Sequence, residues 1–172
     1  MTRGQRPLYH LVPDQPFSPK PTMNPDHQPD PDLQAMQFVL SSPRTVAVVG
    51  LSPKPHRDSF KVSRYMQAQG WRVVPVNPVV AASGERILGE VVYASLTDAA
   101  KAEAIDLVNV FRNSNDVPPI VEEAIALGLP SLWLQLGVCH EVAVNQARAA
   151  GMHVVQDRCL MVEHARHAPQ RG

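Results

Sequence analysis

The stretch Thr45-Val46-Ala47-Val48-Val49-Gly50-Leu51-Ser52-Pro53-Lys54-Pro55-His56-Arg57-Asp58-Ser59-Phe60 decides the fold. Its first five residues are apolar or β-branched, as a strand buried on both faces requires. Gly50 ends that run at a tight exit, and a polar, proline-spaced loop follows. Asp58 and Ser59 each qualify as the N-cap of a helix that carries Phe60, Val62, Tyr65, Met66 and Gln69 to a stop at Gly70. A buried strand, a glycine and an amphipathic helix open a βαβ unit.

The same alternation continues downstream. Arg72-Val73-Val74-Pro75-Val76 reads as a second strand, weakened at Pro75 because proline cannot donate to a ladder. A short third strand is expected near Val91-Val92-Tyr93, then a weak helix from Thr97 to Lys101. Asp106 to Val110 gives a fourth strand, and Pro118 and Pro119 suit the first turn of the helix that buries Ile120, Val121, Ala124 and Ile125. Ser131 to Gln135 is the fifth strand. A helix from His140 or Glu141 to Ala150 leads past Gly151 to a sixth strand, Met152 to Val155, and a short terminal helix. The pattern predicts an α/β fold: a Rossmann-like, doubly wound parallel sheet of five to six strands in a single domain.

Upstream, Leu33, Met36, Gln37 and Leu40 share one face of a short helix, with Asp32 as its expected N-cap. Before it, 8 of the 17 prolines fall between Pro7 and Pro31, among polar residues that bury little apolar surface. Residues 1–31 read as a disordered leader, 32–168 as the folded domain and 169–172 as a tail. Met1, Met23 and Met36 all serve as initiators, and the sequence does not choose between them.

Composition excludes several classes. The 172 residues hold 16 basic and 16 acidic side chains, so the basic surplus of a general nucleic-acid binder is missing. No apolar run approaches the roughly 20 residues that span a bilayer. Two cysteines, Cys139 and Cys159, make no disulfide framework, and the N-terminus carries no signal-peptide pattern. A cytoplasmic protein with reduced thiols is expected.

In an open parallel sheet the ligand lies at the carboxyl ends of the strands. There the first loop offers Gly50, Ser52, Lys54, Arg57 and Ser59 beside a helix N-terminus, which reads as an anion site of phosphate type. It is not the usual dinucleotide loop. Ser52 and Pro55 stand where G-x-G-x-x-G has glycines, and Asn77-Pro78 replaces the ribose-binding carboxylate, which disfavours NAD. No G-x-x-x-x-G-K run, no H-E-x-x-H pair and no histidine with metal-ligand spacing to the cysteines is present. No catalytic constellation and no metal site are expected.

Five segments carry a resemblance: Gly50 to Val62, Pro75-Val76-Asn77-Pro78, Val110 to Ser114, Trp133 to Val138, and Asp157-Arg158-Cys159. Together they resemble the small single-domain CoA-binding proteins, whose fold is similar to the CoA-binding domain of the succinyl-CoA synthetase α subunit. The likeness runs from about Val39 to Arg166. It implies that Gly50, Ser52, Pro53, Lys54, Arg57 and Ser59 wrap the nucleotide phosphates. It further implies that Asn77, Pro78, Phe111 and Arg112 flank the adenosine and that Gly137 lets the chain pass close to the pantetheine arm.

Asp58 departs from the expected pattern, since a carboxylate beside a diphosphate is repulsive unless it caps its own helix. The chain is too short for the second domain with the phosphorylated histidine or for the partner β subunit of that synthetase, so the resemblance implies binding of CoA or an acyl-CoA by a carrier, sensor or regulatory protein. A partner-dependent subunit of an acyl-CoA enzyme is the alternative, and a nicotinamide-nucleotide sensor a weaker one. A larger protein partner or a homodimer stays open.

Other residues read two ways. Lys54, Arg57 and Arg112 are solvated cations or ligand contacts; Phe111 is core or an adenine platform. His140 reads as an N-cap or first-turn residue before a catalyst. Trp71 and Trp133 are assigned to packing, and Asp157 and Arg158 to pairing or loop bracing. Each cysteine is a small buried hydrophobe unless it meets the CoA thiol in a mixed disulfide.

Overall fold

The computed structural model describes residues 29–167. The leader before residue 29 and the tail from 168 onward lie outside the described residues. The first helix, α1 (Pro31–Leu40), begins with the last proline of the expected leader at its first turn. Asp30, not Asp32, is its N-cap and accepts from the Asp32 amide at 3.0 Å. Asp32 reaches outward instead: its carboxylate takes the Arg148 guanidinium and the Gln156 amide, fastening α1 across the far edge of the sheet.

Then follow β1 (Thr45–Val49), α2 (Asp58–Ala68), β2 (Arg72–Val76), α3 (Pro78–Ser83) and α4 (Leu96–Ala102). The second half is β3 (Leu107–Val110), a single 3-10 turn (Ser114–Asp116), α5 (Val117–Ala126), β4 (Ser131–Leu134), α6 (Glu141–Ala149), β5 (His153–Val155) and α7 (Leu160–His167). The five strands are all parallel, in the order β2-β1-β3-β4-β5. From β1 the chain moves one place outward to β2 and then crosses to the other side of β1, so strand order reverses between β1 and β3. That is where a doubly wound sheet opens a crevice.

The strands bury both faces. Helices α4, α5 and α6 close one core with Ala47, Val74, Val108, Val110, Leu132 and Leu134. Helices α1, α2 and α7 close the other with Val46, Val48, Leu107 and Trp133.

The expected third strand does not form. Tyr93 makes one parallel bridge to Val76, donating its amide to the Pro75 carbonyl and accepting from the Asn77 amide, each at 2.9 Å. Extending that ladder to Val91 would need an amide hydrogen from Pro75, which has none. The same fact makes Pro75 harmless inside β2: β2 is the edge strand, and the Pro75 nitrogen points away from β1, where no ladder donor is needed. Beyond that edge, Glu90 and Glu103 each hold Arg72 at 2.5 Å. Hydrogen bonds to Glu103 first, then Glu90, keep its guanidinium pKa above the ordinary range.

Candidate functional site

The site is built outward from Gly50. Its φ of +85° lies in the left-handed region, and a Cβ there would stand 2.4 Å from the Phe111 carbonyl oxygen. Only glycine lets the end of β1 pass this close to the end of β3. The loop that follows is pinned by its own polar groups: the Ser52 amide donates to Ser59 Oγ at 3.0 Å, and Ser52 Oγ accepts from the Lys54 amide at 3.2 Å. Arg57 occupies the N-cap position of α2 without a side-chain cap bond, and Asp58 is the first helical residue, so neither Asp58 nor Ser59 caps the helix. Ser59 is buried because its hydroxyl holds the loop.

Two cavities meet at this loop, sharing Gly50, Ser52 and Arg112. The larger, about 770 Å³, runs from the N-terminus of α2 across the ends of β1, β3 and β4 to the start of α7. Lys54, Arg57, Lys61 and Arg112 line it against one carboxylate, Asp58. A chain with equal numbers of acidic and basic residues thus concentrates four cations in one cavity. Arg112 has an ion pair with Asp116 at 3.4 Å. Lys54 and Arg57 are exposed and have no ion-pair partner among the described residues. Asp58 offsets part of this field and, in the first turn of α2, is compatible with the helix dipole.

The rest of the lining is less polar: Val138, Met161, Val162, half-buried Cys159 and the buried Gln135. Gln135 donates through Nε2 to Asn109 Oδ1 at 2.8 Å, an amide pair sealed between β3 and β4. The smaller cavity, about 470 Å³, opens between the ends of β1 and β2 and the α5 side, lined by Pro78, Leu96, Pro119 and Ile120 among others.

The expected site residues do not all converge. Gly50, Ser52, Lys54, Arg57, Ser59, Phe111 and Arg112 line the larger cavity, and Asn77 and Pro78 the smaller. Pro53 and Gly137 line neither. Gly137 needs its φ of +81° for the turn, and a Cβ there would meet no atom of the described residues within 4 Å. The Asn77 side chain is spent as the N-cap of α3, accepting from the Val79 and Val80 amides, while its Nδ2 donates to the Leu51 carbonyl at 3.0 Å. It ties the first loop to the second.

Lys61 and Gln135 were not singled out in the sequence. Lys61 is one helical turn beyond Arg57, a spacing that places both on one face; Gln135 gave no such signal.

Two further readings of the residues are resolved. His140 caps α6 by accepting the Ala143 amide at Nδ1, 3.2 Å. Asp157 does not pair with Arg158: it braces the fourth-strand loop by accepting the Gly137 amide at 2.7 Å, from a backbone φ of +54°. Asp157→Ala is therefore expected to lower stability by about 1–2 kcal/mol, while Asp157→Asn, which tolerates that conformation, retains most of it. Thermal unfolding of the two variants checks this, and equal losses would remove the backbone part of the argument. Among the described residues there is no metal-ligating cluster and no helix long and apolar enough to cross a membrane.

The family described as CoA binding domain matches residues 44–165, spanning every strand and both cavities. The chain belongs to this CoA-binding domain family. Within reach of it is the uncharacterized protein YneT of Bacillus subtilis (strain 168), 35% identical over 136 residues, covering 79% of this chain and 96% of that one. Among solved structures, cell-free ID.343 from Thermus thermophilus is 38% identical, with TM-score 0.69 over 81% of this chain and 99% of its own. Prb, a PH1109 protein redesigned for binding, is 31% identical with TM-score 0.72, over 86% and 98%. A dinucleotide-forming acetyl-coenzyme A synthetase from Ca. Korarchaeum cryptofilum shares the fold at 19% identity and TM-score 0.57, with 28% of its length covered.

Proposed function

We propose that this CoA-binding domain holds CoA or an acyl-CoA across the carboxyl edge of its sheet and acts as a non-catalytic carrier, sensor or regulatory protein. The observation that carries this reading is the larger cavity, whose lining joins cationic residues at the α2 N-terminus to less polar residues at the end of β4 and the start of α7. CoA has the matching asymmetry, with phosphates at one end and a neutral thioethanolamine arm at the other. Ser52, Lys54, Arg57 and Lys61 would meet the phosphates. The smaller cavity between Pro78, Leu96 and Ile120 offers apolar walls of the kind an adenine base occupies. Among the described residues no nucleophile and base stand in hydrogen-bond contact in either cavity, and the proposed role is binding.

Arg57→Ala tests the phosphate end. The loss of one charge-assisted contact should weaken CoA by about ten- to a hundredfold, with fold stability nearly unchanged because the side chain is exposed. Affinity of the parent should fall with added salt, and less steeply for the variant. Dephospho-CoA assigns the contact: a 3′-phosphate grip abolishes the preference of the variant for CoA, and a diphosphate grip weakens both ligands alike. Undiminished CoA affinity at low salt would move the phosphates away from this helix.

A further inference from the structure

A third cavity, about 380 Å³, adjoins the larger one, and the two share Leu136, Cys159 and Val162 in their linings. Leu136 follows β4, and Val162 lies in the first turn of α7. Leu136 is 72% exposed and Val162 37%. A single exposed apolar side chain is ordinary, but two that line the same junction leave apolar surface in water where one ligand can cover it. Beyond the junction the lining changes character. Asp32, Asp157 and Glu163 stand there against Arg158 and Arg166. These groups are already engaged: Asp32 with Arg148, Asp157 with the Gly137 amide, and the buried Glu163 with Arg158 at 3.7 Å, Arg166 at 3.8 Å and His167 at 3.2 Å. Three carboxylates against two guanidiniums in the lining offer no surplus cation to a carboxylate-bearing ligand.

We infer that this junction is an acyl subsite and that its ligand is the CoA thioester of a short, uncharged aliphatic acid of the butyryl to hexanoyl class; this rests on the CoA reading above. With the phosphates at the α2 N-terminus, the arm of CoA runs toward the less polar lining, and an acyl group on its sulfur lies over Leu136 and Val162. A short chain removes their apolar surface from water. A long chain presses methylenes against the ion pairs of Glu163 and strips their hydration without replacing it. A terminal carboxylate enters a lining that already carries more negative than positive groups, where like charges oppose it.

Calorimetric titration of the full chain with CoA and its acetyl, butyryl, hexanoyl and dodecanoyl thioesters should show affinity rising about two- to fourfold per methylene up to hexanoyl-CoA and rising no further at dodecanoyl-CoA. Succinyl-CoA, which matches butyryl-CoA in carbon number but ends in a carboxylate, should bind about tenfold or more weakly than butyryl-CoA. Because Leu136 is exposed, Leu136→Ser should leave the unfolding midpoint unchanged while lowering the ratio of butyryl-CoA to CoA affinity about threefold or more. Equal affinities for CoA and butyryl-CoA, succinyl-CoA bound as tightly as butyryl-CoA, a gain that continues through dodecanoyl-CoA, or an unchanged ratio in Leu136→Ser each overturn the subsite. CoA binding in those cases leaves the reading beneath it standing; if neither CoA nor any thioester binds, that reading falls and the subsite with it.

Discussion

Gly50→Ala is expected to lower the unfolding free energy by about 3 kcal/mol and to weaken CoA binding in parallel. Two effects combine. Alanine at φ +85° is strained, and its Cβ would lie 2.4 Å from the Phe111 carbonyl oxygen and 2.9 Å from Arg112 Cδ. The first obstacle is backbone hydrogen-bonded into the sheet, since the Phe111 amide donates to the Val49 carbonyl at 2.9 Å. Relief must therefore come from separating the ends of β1 and β3, which is where both cavities meet. Urea denaturation and calorimetric titration read the two losses. A midpoint equal to that of the parent would show that the loop relaxes freely, and the close approach would then have no part in shaping the site.

Trp133→Ala is expected to cost about 3–5 kcal/mol, a large part of the whole stability of a domain this size. The indole has no exposed surface, and its Nε1 donates to the Arg158 carbonyl at 2.8 Å, next to Cys159. Trp133→Phe keeps most of the volume and removes the donor, so a loss of about 1–2 kcal/mol is expected from the carbonyl left without its partner. The measurement is the denaturation midpoint at unchanged slope. If phenylalanine costs as much as alanine, the hydrogen bond and not packing holds the turn beneath the cavity; if it costs nothing, the turn is held by its neighbours.

The parallel sheet was legible because its strands are apolar on both faces. Runs such as Thr45–Val49 and Ser131–Leu134 have that composition only when helices cover both sides. Glycine at the exit of β1 and paired prolines at the start of α5 located those element ends to within a residue or two. The cationic, hydroxyl-rich loop at the cavity was legible for a similar reason: hydroxyl and cationic residues followed a glycine immediately before a helix. Val91–Tyr93 misled because composition marks a segment as able to extend but cannot show which neighbour offers it donors; Pro75 on the facing edge offered too few.

Capping was the least legible feature. Asp30 and Asp32 are equivalent in type, and only the position of Arg148 on α6 and the Gln156 amide beyond β5 assigns Asp32 to the sheet edge. Ser59 lines the larger cavity as expected of a ligand contact, and its hydroxyl also accepts from the Ser52 amide, a structural role that its type alone did not reveal. Asn77 likewise became a cap and a tie to Leu51.

Local patterning along the chain was sufficient for the fold class, the loops at the carboxyl edge of the sheet and the cationic first helix turn, since each depends on residues within a dozen positions of one another. Tertiary structure decided what lies opposite what. Lys61, Lys54 and Arg57 share a cavity with Gln135 and Cys159, residues 74 or more positions later, because β1, β3 and β4 set their ends side by side. A hydrogen bond or a shared cavity wall is a relation between distant segments, and the side chain that satisfies a given backbone group depends on distances that exist only after the strands have paired.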